Sequence, residues 1–447
     1  MSDFADWNTQ LPEICLSQSG GVLGTNVQKS PAMLGAASSS PYEAGMCPPV
    51  GPYLSYATSG YIGDLLYECG LGRNLSSKFV KGFQRPLTTP AHRPLRIGHI
   101  NAALLPAGIE SWLSALIKEA DPRRLKFVRH VSFGPLVDPR QIQRLGIPVE
   151  IGGRSSVKAL AADCDILLIS DPGSTPEIIA EWIAEGPRPV IVFVAHGDAE
   201  YTARSLRAFA LLVDHVIAVS EHVQRTVCED LKSTVIRNGV DPTRLCPTQS
   251  ASVTRQALGF VDEDFVVGFV GRFSTEKNPH LLISAVSTLP SNVKLLLVGF
   301  GHLRQRLLDD CLRLLPGRFV TLEADDCLGD LFAAMDAHCL PSSYEGYGLA
   351  TMEAMMCGVP VITTNFGLAP ELIQTGYNGL IIEPTVHDIS KKLLALSSRR
   401  DWARQMGDNG RRTAMQHGYA SSMARSYESV LEEIWVNRRT ASGKTHR

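Results

Sequence analysis

Residues 337–364, AHCLPSSYEGYGLATMEAMMCGVPVITT, read as a strand, a polar loop, a helix beginning near Leu349 and a second strand. A strand that returns through a helix to another strand is a βαβ unit, and successive units build a parallel sheet buried on both faces. The same alternation extends upstream through FVVGFVG, VKLLLVG and FVTLEA, and downstream to NGLII. A separate series runs from Leu95 through RIGHINAA, KFVRHVSF, DILLIS, PVIVFVAH and HVIAVS, with helical stretches such as IESWLSALIKEA and TPEIIAEWIA between them. It stops at the turn-forming run Asn238-Gly239-Val240-Asp241-Pro242.

The reading is therefore α/β, with two Rossmann-like, doubly wound parallel-sheet domains facing each other across a cleft. The expected boundaries are an N-terminal extension at 1–90, largely flexible, a first domain at 91–245, a second domain at 246–415, and a C-terminal helix at 416–447. That helix, SMARSYESVLEEIWVNRR, has apolar residues at helical spacing and is expected to pack back on the first domain. Residues 1–50 are rich in Ser, Gly, Pro and Ala, which is the ground for expecting a flexible extension.

Composition narrows the function. Hydrophobic residues are 44% and charged residues 20%, as in an ordinary globular protein. A net charge of -2 gives no global pull on nucleic acid, so an acidic ligand has to be held by a few placed cations. The ten cysteines include no Cys-x-x-Cys pair, and several lie in apolar runs; buried free thiols in a reducing compartment are expected. No apolar run has the length of a membrane span and the start, MSDFADWNTQ, lacks the pattern of a secretory signal, so the expected location is cytoplasmic, with room left for peripheral contact with a membrane.

In open parallel sheets ligands bind beyond the carboxyl ends of the strands. After FVVGFVG comes Gly271-Arg272-Phe273-Ser274-Thr275-Glu276-Lys277-Asn278, whose two cations can meet a diphosphate without a metal. After AHCLP comes a loop slimmed by Gly346 and Gly348, ahead of a helix whose free N–H groups suit phosphate. Glu345 could accept hydrogen bonds from sugar hydroxyls, and Glu353 could chelate the two hydroxyls of a ribose. His196 ends the strand PVIVFVAH on the other domain. Asp163-Cys164-Asp165 and Asp262-Glu263-Asp264 precede their strands, away from the expected ligand side, so no metal is predicted. Gly299-Phe300-Gly301-His302 begins like a dinucleotide-binding turn, but Arg304 stands where the third glycine belongs.

GRFSTEKN, VGFGHLRQRL, PSSYEGYGLATMEAMMCGVPVI and PELIQTGYNGLIIEP, covering most of 265–385, resemble the family 4 retaining glycosyltransferases of GT-B fold. The resemblance implies a nucleotide-diphosphate sugar as donor and a glycan, lipid or small molecule as acceptor, transfer of a hexose with retention, and no cofactor. It assigns Glu345 and Glu353 to donor sugar and ribose, Arg272 and Lys277 to the diphosphate, and His196 to the reacting sugar. Gly108, Gly271, Gly346, Tyr347, Gly348 and Leu349 complete the expected donor-binding set. Two departures stand out: Ala107-Gly108 and Gly367-Leu368 replace the usual Gly-Gly pairs. A catalytically inactive sugar-nucleotide-binding or assembly subunit, or a nucleotide-sugar epimerase of similar fold, are the alternatives. Acceptor choice is expected in 132–147 and 198–210, and the run Arg123-Arg124-Leu125-Lys126 reads as a solvated helix end.

Overall fold

Among the described residues the apolar runs become thirteen strands in two sheets. The computed structural model describes residues 93–444, apart from 135, 198–199, 229 and 324–327, and side chains through 440. The expected extension at 1–90 lies outside the described residues.

Strands β1 (Leu95–Asn101), β2 (Leu125–Ser132), β3 (Val149–Ile151), β4 (Ile166–Asp171), β5 (Val190–Ala195), β6 (His215–Ala218) and β7 (Ser233–Val235) form one sheet, in the order β3-β2-β1-β4-β5-β6-β7. The second contains β8 (Phe265–Val270), β9 (Val293–Val298), β10 (Phe319–Leu322), β11 (Ala337–Leu340), β12 (Val361–Thr363) and β13 (Leu380–Ile381), in the order β10-β9-β8-β11-β12-β13. Every pairing is parallel. Each sheet reverses its strand order once, between β1 and β4 and between β8 and β11, and the crevice beyond those strand ends is where such sheets bind ligands.

Burial explains the composition of the strands. All of VIVFVA in β5 and FVVGFV in β8 is buried, as expected for strands covered by helices on both faces. Along β8 the side chains alternate, Val266 and Val270 joining one apolar cluster while Phe265, Val267 and Phe269 join another. The first cluster continues through Tyr347, Met352 and Met355 to the core of the first sheet. The long helix Ala420–Lys444 adds Tyr427 and Leu431 to that cluster, and its Glu428 and Glu432 hold Arg124 at 2.5 and 2.6 Å. This corrects the reading of Arg123–Lys126: helix Gly108–Glu119 ends before it, Leu125 opens β2, and Arg124 is a docking group for the terminal helix. Among the described cysteines, Cys164, Cys228, Cys311 and Cys339 are buried free thiols, whereas Cys246 is exposed. No helix among the described residues is long and apolar enough to cross a membrane.

Buried histidines make the fold acid-sensitive. His99 and His130 face each other, Nδ1 to Nδ1 at 2.8 Å, so one ring must donate and the other accept. Burial pushes His130 down to about 4 and His338 to about 3, and burial together with the neighbouring His130 lowers His99. Unfolded histidine titrates near 6.5. Because the folded values are depressed, this stability is present above that pH and is lost as pH falls. Between pH 6.5 and 5 each ring forfeits up to about 2 kcal/mol. Thermal unfolding is therefore expected to show a Tm at pH 5 several degrees, up to roughly 8 °C, below that at pH 7.5. A flat profile would contradict it.

Candidate active site at the two switch points

The loop after β8 is fixed to the loop after β11 by backbone and side chain together. It closes in a 3-10 turn, Thr275–Lys277, followed by Asn278 at φ 51°, a left-handed conformation that asparagine tolerates. The Asn278 amide donates to the Pro341 carbonyl at 3.0 Å and to Ser343 Oγ at 2.8 Å. Ser343 N–H in turn donates to the Glu276 carbonyl at 2.7 Å. These ties bring Lys277 Nζ to 2.7 Å from Glu345 Oε1, an oxygen that also accepts from Ser342 Oγ at 2.8 Å. Arg272 lies 3.2 Å from Glu276, which Ser274 Oγ also contacts at 2.6 Å. Each predicted cation thus sits beside a carboxylate, and all four groups lie at the β8/β11 reversal.

Gly346 and Gly348 serve different needs. Gly348 takes φ 90° immediately before helix Leu349–Met356, where a side chain would be strained. Gly346 is needed for proximity: a Cβ there would lie 1.7 Å from the carbonyl oxygen of His196, across the cleft. Ser220 Oγ of the first domain donates to the Gly346 carbonyl at 2.7 Å, and Glu371 accepts from Glu221 N–H at 2.8 Å and Arg237 Nε at 2.6 Å. The two sheets are therefore clasped over the β11 loop. Tyr347 is buried there and its hydroxyl has no hydrogen-bond partner among the described residues. At the departure from Gly-Gly, Leu368 buries its side chain and donates its N–H to the Tyr347 carbonyl at 2.8 Å.

Glu353, one helical turn in from Leu349, faces the Asp241–Arg244 segment that links the two sheets. It lies 3.7 Å from Arg244, and burial raises its pKa against the pull of that guanidinium. Ser111, Arg144, Asp241, Arg244, Leu349 and Glu353 line a cavity of about 10 Å³, enough for a water and far below a sugar nucleotide. Glu353 is thus in the cleft wall but separate from the Lys277–Glu345 pair.

His196 directly follows β5, opposite Gly346. Its ring meets Trp112 edge-on at 4.6 Å, its Nε2 is enclosed without a partner among the described residues, and burial pushes its pKa down to about 3. It is a neutral imidazole. Gly108 is the exposed first residue of helix Gly108–Glu119, and a Cβ there would be 3.7 Å from Leu349. Glu110, two residues on, is a group that sequence reasoning quoted without assigning. Burial pushes its carboxyl up to about 7, with the nearby Asp171 adding to the shift and Arg272 opposing it. Asp171 ends β4 at the same reversal. Only the strand order brings Asp171 to this position, and no local motif carries that order.

Other motifs prove structural. A Cβ on Gly299 would lie 1.9 Å from the Gly271 carbonyl and one on Gly301 2.5 Å from that of Phe273, so these glycines seat the β8 loop rather than a dinucleotide. Asp165 accepts from Arg93 and from Arg96 N–H, and Asp264 from Val261 N–H, all at the opposite sheet edges. Among the described residues no group of three or more His, Cys, Asp or Glu is placed to hold a metal.

Comparisons agree with this geometry. The model for glycosyl transferases group 1 matches residues 251–413, and the model for glycosyltransferase family 4 matches 103–244. An uncharacterised glycosyltransferase of Methanocaldococcus jannaschii is 32% identical over 183 residues, 38% of this chain and 47% of the relative. D-inositol 3-phosphate glycosyltransferase of Rhodococcus erythropolis is 29% identical over 214 residues, 45% of this chain and 48% of the relative. The chain thus spans about half the length of these relatives. Among solved structures, HepE of Anabaena in complex with UDP-glucose superposes with a TM-score of 0.67 at 23% identity, covering 76% of this chain and 100% of that one. Sucrose-phosphate synthase of Thermosynechococcus elongatus gives 0.63 at 18% identity, covering 77% and 100%. Two consecutive family models and a shared two-sheet architecture place the chain among the group 1 glycosyltransferases, with the GT-B fold.

Proposed function

We propose that the protein moves a hexose from a nucleotide-diphosphate sugar, a UDP-sugar first among candidates, to a hydroxyl of a glycan, lipid or small-molecule acceptor. The observation that carries this reading is the Lys277–Glu345 pair, which joins a phosphate-type cation and a sugar-type carboxylate at the reversal of the second sheet. The diphosphate would draw Arg272 and Lys277 from Glu276 and Glu345, leaving Glu345 to accept from the hexose hydroxyls. Charge developing on the leaving diphosphate is stabilised by cations already fixed in place. The neutral His196 ring faces the sugar from the first domain, and Glu353 takes the ribose once it leaves Arg244. The sheets would part to admit the donor and close again to exclude water.

In this reading the anomeric configuration is retained, no metal or other cofactor takes part, and the protein works in the cytoplasm, free or against a membrane. The first two points rest on the resemblance of residues 265–385. HepE, solved with UDP-glucose, supports a uridine donor. The test is incubation with UDP-, GDP- and ADP-sugars in EDTA, following nucleotide release. Release from one donor supports the reading, and silence across the panel in the presence of EDTA and of added magnesium overturns it.

A further inference from the structure

Building on that transferase reading, we propose that the acceptor is an uncharged polyhydroxylated molecule, a sugar or a cyclitol, held on the first domain by Glu110 and Asp171, which reject its phosphorylated counterparts.

The two carboxyls are brought to the other switch point, where the charge of Asp171 is felt by Glu110. Asn101 of β1 is the register partner of Asp171 of β4. Glu110 turns back from the helix start, its Oε1 accepting from Leu105 N–H at 3.2 Å and lying 3.4 Å from Asn101 Nδ2. Its Oε2 is buried without a hydrogen-bond partner among the described residues, although the residue is only 4% exposed. Asp171 Oδ1 accepts from Gly173 N–H at 2.8 Å and from the Tyr201 hydroxyl. Tyr201 is 36% exposed, so the cluster reaches the surface there. Both carboxyls interact with Arg272 of the second sheet, so they face the donor loop rather than the back of the domain.

A buried carboxyl oxygen without a partner is a costly feature that a bound hydroxyl would relieve. Asp171 can accept from a hydroxyl, and Glu110, protonated through much of the neutral range, can also donate to one. A phosphate would instead meet the Asp171 carboxylate and, above about pH 7, that of Glu110 as well. The cation that acts on both carboxyls, Arg272, is the one assigned above to the donor diphosphate, so it is engaged there rather than by an acceptor phosphate.

The test follows nucleotide release from the working donor while glucose is compared with glucose 6-phosphate, and myo-inositol with inositol 1-phosphate. The expected result is a kcat/KM at least about tenfold higher for the neutral member of a pair, as a like-charge penalty of modest size requires. Glu110→Gln and Asp171→Asn are expected to raise the acceptor KM by about tenfold while donor KM moves less than about twofold, a split that mere loss of structure would not produce. If Asp171→Asn fails to fold, Tyr201→Phe at its part-exposed position moves the same KM in the same direction. Preference for the phosphorylated member, no stimulation by either neutral polyol, or an unchanged acceptor KM in both carboxyl variants overturns the inference. In those cases release from donor alone persists and the transferase reading stands; absence of release from every donor overturns both.

Discussion

Lys277→Met is expected to lower kcat/KM for sugar transfer by about 10²–10³, the usual loss when a preorganised group facing developing negative charge is removed. The side chain is nearly isosteric, so the loss is electrostatic. It also leaves Glu345, 8% exposed, with Ser342 Oγ as its remaining side-chain partner, so a lowered Tm is expected alongside. The control is Glu345→Gln, which removes the uncompensated charge: combined with Lys277→Met it should recover Tm but not rate. A Lys277→Met enzyme within about threefold of wild type would remove the cation from the reaction.

Gly346→Ala is the second large effect, and it acts through geometry. The added methyl would fall 1.7 Å from the His196 carbonyl oxygen and 2.6 Å from its carbon, and neither is a side-chain end that can swing aside. The β11 loop must therefore back away from the first domain, loosening the Ser220 contact as it goes. A displacement of about 1 Å in a reacting geometry commonly costs about 10²-fold in rate. We expect that loss with both sheets still folded, read as a kcat decrease at near-native circular dichroism. Wild-type turnover would show that closure over Gly346 is not the reactive state.

What the sequence disclosed divides along a physical line. Alternating apolar runs and helices marked the parallel sheets because burial on both faces demands such strands, and the loops GRFSTEKN and PSSYEGYG stood out because charge and glycine are unusual directly after them. The structure places both loops at one switch point, with Lys277 and Glu345 in contact. The first-domain side was less legible. Asp171 becomes notable only when β1 and β4 are known to be neighbours, and strand order depends on packing over long sequence distances. At Gly346 the structure adds a reason the sequence does not carry, since the need for glycine comes from a carbonyl 150 positions upstream in the chain rather than from its own backbone angles. Arg124 misled for the same reason: its partners, Glu428 and Glu432, lie on the terminal helix.

The most direct measurement of the central claim is calorimetric titration of UDP, GDP and ADP, in EDTA, into the wild-type protein and Lys277→Met. One nucleoside diphosphate is expected to bind the wild type with a Kd in the micromolar range and the variant at least about tenfold more weakly, the loss of one well-placed charge-assisted contact. Equal affinity for both proteins, or no binding by any of the three, would contradict a diphosphate site at the β8/β11 reversal.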